Sequence, residues 1–250
     1  MKIKVLASGS KGNCTYIESG STKILLDVGI NFNKISNCFE SNNLDLYSLD
    51  GILISHSHKD HVGGLASLVK KISTKVFIKE ELFNDLRKII PIENIELVDN
   101  TFKLGDLNIT LFNSSHDVPN SGYIIDDGKD SFVYITDTGY INRKYLPLTE
   151  NKTIYMVEFN HDEKMVMTGP YPYILKERIL SDKGHLSNTY SANYLAKVVG
   201  DKTKYILLAH ISENNNTEEL AYETAVKKLP EFKDRIIVAK QNIDTEMIEV

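Results

Sequence analysis

One stretch limits what this chain can become more than any other: Leu53-Ile54-Ser55-His56-Ser57-His58-Lys59-Asp60-His61-Val62-Gly63-Gly64. Residues 51–55 form an apolar run that reads as a buried strand. The run empties directly into His56, His58, Asp60 and His61. Beyond them Val62, Leu65, Leu68 and Val69 recur at helical spacing, which predicts a helix starting near His61. Four potential metal ligands therefore occupy the turn between a buried strand and a helix. In an extended turn His56 and His58, two apart, project to the same side. Asp60 and His61 are adjacent, so at a helix start they diverge and can serve a second centre. Imidazole and carboxylate donors suit zinc, manganese or iron. Lys59 is expected to face solvent, because a protonated amine has no lone pair to offer a metal.

The 250 residues fit a single domain with two halves, expected near residues 1–125 and 126–250. An apolar content of 42% and a charged content of 25% match a soluble globular protein with a large core. A net charge of -5 does not advertise a nucleic-acid binder, yet bound divalent ions would add positive charge where a phosphate sits. Cys14 and Cys38 lack the spacing of a zinc finger, and two cysteines make no disulfide framework, so a reducing cytoplasm is expected. The opening residues are interrupted too early for a signal peptide, and no run of about 18 apolar residues is present.

Short strands are predicted at 3–7, 15–18, 23–27, 75–78, 95–98, 101–104, 107–113, 122–125, 132–136, 153–159, 205–209, 236–239 and 245–249. Helices are predicted at 31–39, after His61, at 80–89, 175–180, 187–199 and 218–229, with a helical turn at 142–146. Strands come first and then alternate with helices. That order fits an α/β (or α+β) fold in which two sheets are sandwiched between outer helices.

Further polar residues follow predicted strands, where loops can converge on one rim: His116, Asp137 and His210. His185 lies in Gly184-His185-Leu186-Ser187, and His161 follows the strand at 153–159. Singly, each has a structural explanation as a cap or a satisfied histidine. Jointly, six of the seven histidines fall in such positions.

With these residues in view, the chain resembles the metallo-β-lactamase-fold hydrolases. His56, His58, Asp60 and His61, then His116, Asp137 and His210, match the motifs of that superfamily in order. Much of the chain looks closer still to the bacterial YycJ/WalJ group, through residues 8–13, 158–162, 169–188 and 210–215. Phe159 departs from that group, where a small polar residue is expected. The resemblance implies a four-layer αβ/βα sandwich with two divalent metal ions (Zn²⁺, Mn²⁺ or Fe²⁺) at the shared rim. His56, His58 and His116 would hold the first ion, Asp60, His61 and His210 the second, with Asp137 bridging. Two such ions would generate hydroxide at neutral pH.

The metal set alone does not choose a substrate. Gly184-His185-Leu186-Ser187 is similar to a loop of the phosphodiesterase branches, including tRNase Z-like enzymes. A His there can protonate a leaving alkoxide or hold a phosphate oxygen, with Glu158 as its orienting carboxylate. His185, Asp60 and Glu158 are the candidate catalytic residues, and Ser10, Asn13, His161 and Asn188 the candidate substrate contacts. The turn at 8–13 can present backbone N–H groups to an anion or simply connect strands. Lys176, Arg178 and Lys183, with Tyr171 and Tyr173, can line a nucleic-acid track or form a solvated face. The resemblance implies a 5′-to-3′ exonuclease preferring single-stranded DNA, linked to DNA repair. Hydrolysis of a small phosphodiester or thioester, or of RNA, is the alternative. β-Lactam hydrolysis is disfavoured, since an export signal would be expected. A scaffold that had lost catalysis would lack ligands, and none is missing.

Overall fold

In the computed structural model, which describes residues 1–250, period-two alternation along the strands sorts side chains between two faces. Ile24 and Leu26, Phe132 and Tyr134, and Leu207 and Ala209 face one buried layer. Their neighbours Leu25, Val133 and Leu208 face two others. Strands buried on both faces need cover on both, and each sheet has it: a second sheet inside, helices outside.

The first sheet contains β1 (Lys2–Ala7), β2 (Cys14–Ser19), β3 (Thr22–Leu26), β4 (Gly51–Leu53), β5 (Val76–Ile78) and β6 (Ile95–Leu97). The second contains β7 (Thr101–Leu104), β8 (Leu107–Ser114), β9 (Asn120–Asp126), β10 (Ser131–Ile135), β11 (Ile154–Glu158), β12 (Tyr205–Ala209) and β13 (Ile236–Val238). A last strand, β14 (Ile248–Glu249), returns to pair with β1. The strand orders are β14-β1-β2-β3-β4-β5-β6 and β13-β12-β11-β10-β9-β8-β7. Pairings are antiparallel from β14 to β3 and parallel from β3 to β6. In the second sheet they are antiparallel from β7 to β10 and parallel from β10 to β13. The two sheets thus repeat one plan, and β3 and β10 occupy equivalent places where the pairing changes direction.

One layer of core lies between the sheets and includes Ile3, Leu53, Tyr123 and Met156. A second lies under the helices of the first sheet, where Ile35, Phe39, Leu65 and Leu68 meet Tyr16 and Ile52. A third joins Tyr194, Leu195, Ala221 and Ala225 to Tyr155 and Ile206 of the second sheet. These layers make a four-layer αβ/βα sandwich, the arrangement that the resemblance implies.

The chain changes sheet between Leu97 and Thr101, not near residue 125, and its end crosses back. The hairpin β9–β10 pairs within the second sheet, so residues 120–126 belong with the later half. The helix after the His-rich turn comes in two pieces, Lys59–Val62 and Leu65–Lys71, interrupted at Gly63-Gly64. The helix Glu163–Thr168 was not foreseen. Its N-cap is Asp162, whose side chain accepts from Met165 N, and the capping residue was the available signal.

Candidate metal centre

Loops leaving β3, β4, β10, β11 and β12 converge on one rim, as ligand sites do at the carboxyl ends of parallel strands. Two strand ends turn there through the left-handed region: Asp27 (φ 60°) after β3 and Asp137 (φ 55°) after β10. His210, after β12, does the same at φ 51°. Non-glycine residues seldom adopt this conformation, and strain of this kind gathers at functional sites.

His56, His58 and His116 form the first donor group. His56 Nδ1 lies 3.0 Å from Ser55 Oγ, and its buried Nε2 has no partner. His116 Nδ1 donates to Lys183 O at 3.1 Å, which turns Nε2 toward His58 and Asp117. His58 Nε2 lies 3.3 Å from Asp117, leaving Nδ1, which faces His116 Nε2 at 3.2 Å. Each ring thus keeps one nitrogen for the same point. Burial pushes the His56 and His116 imidazoles toward the neutral form that ligates a metal.

Asp60, His61, Asp137 and His210 form the second group. His61 Nε2 stands 3.0 Å from Asp137 Oδ2, which receives no well-aligned hydrogen bond. His210 Nε2 lies 3.3 Å from Asp60 Oδ2 and 3.5 Å from Asp137 Oδ1. Without an ion, burial opposes charge on His61, but Asp27 and Asp137 outweigh it and hold its pKa at about 10. Ligands of one ion at bonds of about 2.0–2.1 Å sit roughly 3.3 Å apart. Facing lone pairs, a buried unpartnered imidazole nitrogen and a buried unpartnered carboxylate oxygen therefore fit divalent ions at both groups.

The backbone fixes Asp60 by close approach. Asn13 N donates to Asp60 O at 2.7 Å and Gly29 N to Asn13 O at 2.8 Å. A Cβ on Gly29 would fall 1.7 Å from Asp60 O, so only glycine fits. Asn120 Nδ2 likewise holds the carbonyls of Thr136 and Asp137, at 3.0 and 2.6 Å.

Glu158 is fully buried at the end of β11. Its Oε2 lies 3.1 Å from His185 Nδ1 and 3.4 Å from His210 Nδ1, and its Oε1 accepts from Thr138 N and Leu186 N. Burial alone would raise its pKa, but His185 and His210 bring it to about 2. Burial works against a charged His185, while Glu158 raises its pKa. A hydrogen bond at Nδ1 leaves Nε2 as the free nitrogen of a ring that keeps 23% exposure. The pair expected from the sequence is therefore formed. His185 also shares a donor group with Asp137, Glu158 and His210, so proximity by itself does not separate it from a ligand.

Three of the four expected substrate contacts are buried. Asn13 is buried and spends its amide on Gly9, Asp60 O and His61 Nε2, so it supports the metal-site loop from beneath. Asn188 is buried in a reciprocal amide pair with Asn216 at 2.8 and 2.9 Å, which commits its side chain inside the protein. His161 is buried, with Nδ1 unpartnered and a pKa lowered by burial to about 4. Ser10 is exposed. The turn at 8–13 is no anion cradle, because the N–H groups of Ser8, Gly9, Lys11, Gly12 and Asn13 all bond within the protein. Arg178 ion-pairs with Asp117, Lys176 donates to Met167 O, and Tyr171 accepts from Asn214, which commits most of the expected nucleic-acid track.

Two carboxylates were missed. Asp27, fully buried, accepts from Ser55 N, Ser55 Oγ and Tyr134 OH at 2.8 Å each and lies 2.7 Å from His61 Nδ1. It fixes the His61 ring with Nε2 toward Asp137. Asp117 stands 3.3 Å from both His58 Nε2 and His116 Nε2. Their only sequence signal was an acid just after a strand or beside a ligand.

The β-lactamase superfamily domain matches residues 22–211, and the chain belongs to that superfamily, as a hydrolase of the metallo-β-lactamase fold. Over 237 residues it is 36% identical to the exodeoxyribonuclease WalJ of Streptococcus pneumoniae, covering 91% of this chain and 88% of WalJ. It is 34% identical to the exodeoxyribonuclease YycJ of Bacillus anthracis, covering 92% and 90%. Among solved structures, the metallo-β-lactamase fold protein YhfI of Bacillus subtilis superposes with a TM-score of 0.74 at 18% identity, over 98% of this chain and 99% of YhfI.

Proposed function

We propose that this protein is a metal-dependent 5′-to-3′ exonuclease that hydrolyses phosphodiester bonds of single-stranded DNA. The observation that carries the reading is the His185–Glu158 pair set beside two metal-ligand groups, in a chain so similar to WalJ and YycJ. His56, His58 and His116 would hold one divalent ion and Asp60, His61 and His210 the other, with Asp137 bridging. The ions, when bound, would supply Lewis acidity, acidifying water and neutralising charge on a phosphoryl oxygen.

The remaining steps belong to the protein. Glu158 keeps the His185 ring oriented and charged through Nδ1. His185 Nε2 then donates a proton to the leaving alkoxide as the P–O bond breaks, or holds a nonbridging oxygen. Asp27 and Glu158 orient His61 and His210 through their Nδ1 atoms, and the Asn13 amide 2.9 Å from His61 Nε2 would have to yield that nitrogen to the ion. The donor chemistry admits zinc, manganese or iron. A role in DNA repair in the cytoplasm goes with this reading. The free cysteines Cys14 and Cys38 favour a reducing compartment, and no helix is long and apolar enough to cross a membrane.

The test uses metal-loaded protein with single- and double-stranded DNA and RNA oligonucleotides labelled at either end. Stepwise release from the 5′ end of single-stranded DNA, lost in Asp137→Ala, is expected. No product with Mn²⁺ or Zn²⁺, or product unaffected by Asp137→Ala, overturns the reading. Faster turnover of small phosphodiesters or thioesters would transfer it to that class.

A further inference from the structure

Beside Asp60 lies a cavity of about 630 Å³ that none of the proposed chemistry uses. Four separate segments wall it: the turn after β1, the segment after β3, the metal-ligand turn and the residues after β13. Its lining carries Lys11, Lys34 and Lys59 against a single acid, Asp60, which a bound ion would neutralise. In a chain of net charge -5 this is a local excess of positive charge.

The three lysines differ in what they already hold. Lys11 Nζ is paired with Glu213 at 2.6 Å. Lys34 Nζ reaches only a carbonyl, Gln241 O, at 3.1 Å. Lys59 makes no ion pair and no side-chain hydrogen bond, although it sits next to a metal ligand. Ser10 lines the same space, and its N–H is the one donor of the turn that bonds to nothing in the protein. Ile30 is the only apolar residue among the eleven that line the cavity. Such walls offer bases nothing to stack on. They suit a solvated anionic chain, which binds lysines mainly through charge.

The geometry points to this cavity as the channel for the sugar–phosphate backbone of the strand adjoining the scissile bond, with Lys34 and Lys59 at successive phosphates. The assignment rests on the nuclease reading and adds the path of the strand. Lys59 is then the cation that leads the backbone from the channel to Asp60.

The experiment measures binding of a fluorescent single-stranded oligonucleotide by anisotropy across a salt series. Wild type is compared with Lys34→Gln/Lys59→Gln and with Lys34→Arg/Lys59→Arg. Each single-strand phosphate contact contributes about 0.7 to the slope of log affinity against log salt. The Gln double variant should therefore lose about 1.4 from the slope. At 0.1 M salt this corresponds to about fivefold weaker binding per lysine and roughly 25-fold for both. The Arg double variant should restore the slope, which a merely misfolded site would not allow. An unchanged slope in the Gln variant, with wild type binding and cleaving DNA, overturns the channel and leaves the nuclease reading intact. A slope that falls instead in Lys183→Gln puts the strand on the His185 side and also overturns it. A wild type that neither binds nor cleaves any oligonucleotide overturns the nuclease reading itself.

Discussion

Replacing Asp27 by Asn removes one charge from beneath His61 while keeping shape and backbone. Asn tolerates the left-handed conformation that Asp27 adopts at φ 60°, so no backbone strain is added. The cost comes from hydrogen bonding. Oδ1 accepts from Ser55 N, and Oδ2 serves Ser55 Oγ, Tyr134 OH and His61 Nδ1. An amide has one oxygen, so in either orientation its NH₂ meets a donor: the Ser55 N–H or the His61 N–H. The two hydroxyls can rotate and the Ser55 N–H cannot, while His61 escapes the clash only by moving its proton to Nε2, the nitrogen that faces Asp137. With the proton kept on Nδ1, one buried donor is left unpaired, at about 1–3 kcal/mol. For a chain of this length that corresponds to roughly 2–12 °C in Tm, at about 2–4 °C per kcal/mol. The His61 ring also loses the group that fixes its tautomer, so the second metal should bind about 10–100-fold more weakly. Competition with a calibrated chelator gives the affinity, and thermal melts of the metal-free protein give the stability. Wild-type affinity together with an unshifted Tm would refute the assignment of Asp27 as the anchor of His61.

His185→Ala should retain wild-type metal content and lose about 10²–10⁴-fold in turnover, the usual worth of a positioned acid. Loss of bound metal in that variant, read by elemental analysis, would make His185 a ligand instead. Gly29→Ala should be poorly stable and deficient in the second metal, because its Cβ would sit 1.7 Å from Asp60 O; a variant that melts and loads like wild type counts against this contact. At Asp244, burial raises the pKa, but the hydrogen bonds from Lys4 and Cys38 and the charge of Lys4 outweigh it and lower it below the usual 3.8. A carboxylate depressed in the folded state adds stability that is present above the unfolded value. That stability is lost as pH falls through the folded one. Denaturant melts below about pH 4 should therefore show a shallower acid limb for Lys4→Met than for wild type, and identical limbs would exclude the pair as a contributor.

Local spacing together with the family resemblance was enough to nominate the candidate metal donors. His56, His58, Asp60 and His61 sit where an apolar run ends, and His116, Asp137 and His210 follow strands whose alternation is visible residue by residue. Glu158 was found the same way, from its place at the end of β11, and it does meet His185. The supporting carboxylates escaped because their partners are distant in the chain. Asp27 is 34 residues from His61 and 107 from Tyr134, and Asp117 is 61 from Arg178. No short-range pattern encodes such pairs.

Polarity misled where burial decided the role. Asn13 and Asn188 look like surface contacts and lie in the interior, because backbone carbonyls and a second amide satisfy them there. Arg178 looked available to a phosphate until the fold brought Asp117 to it. Lys59 is the reverse, since packing left it without a partner beside Asp60. Strand periodicity in the sequence pointed to sandwiched sheets, because it is local, and the resemblance of its motifs to a known family pointed to the class of protein and the candidate donor residues. Only the tertiary structure decided which nitrogen of each histidine is free, which polar groups are spent inside, and where an uncommitted cation faces open space. Those outcomes depend on which distant groups the packing brings within hydrogen-bonding distance.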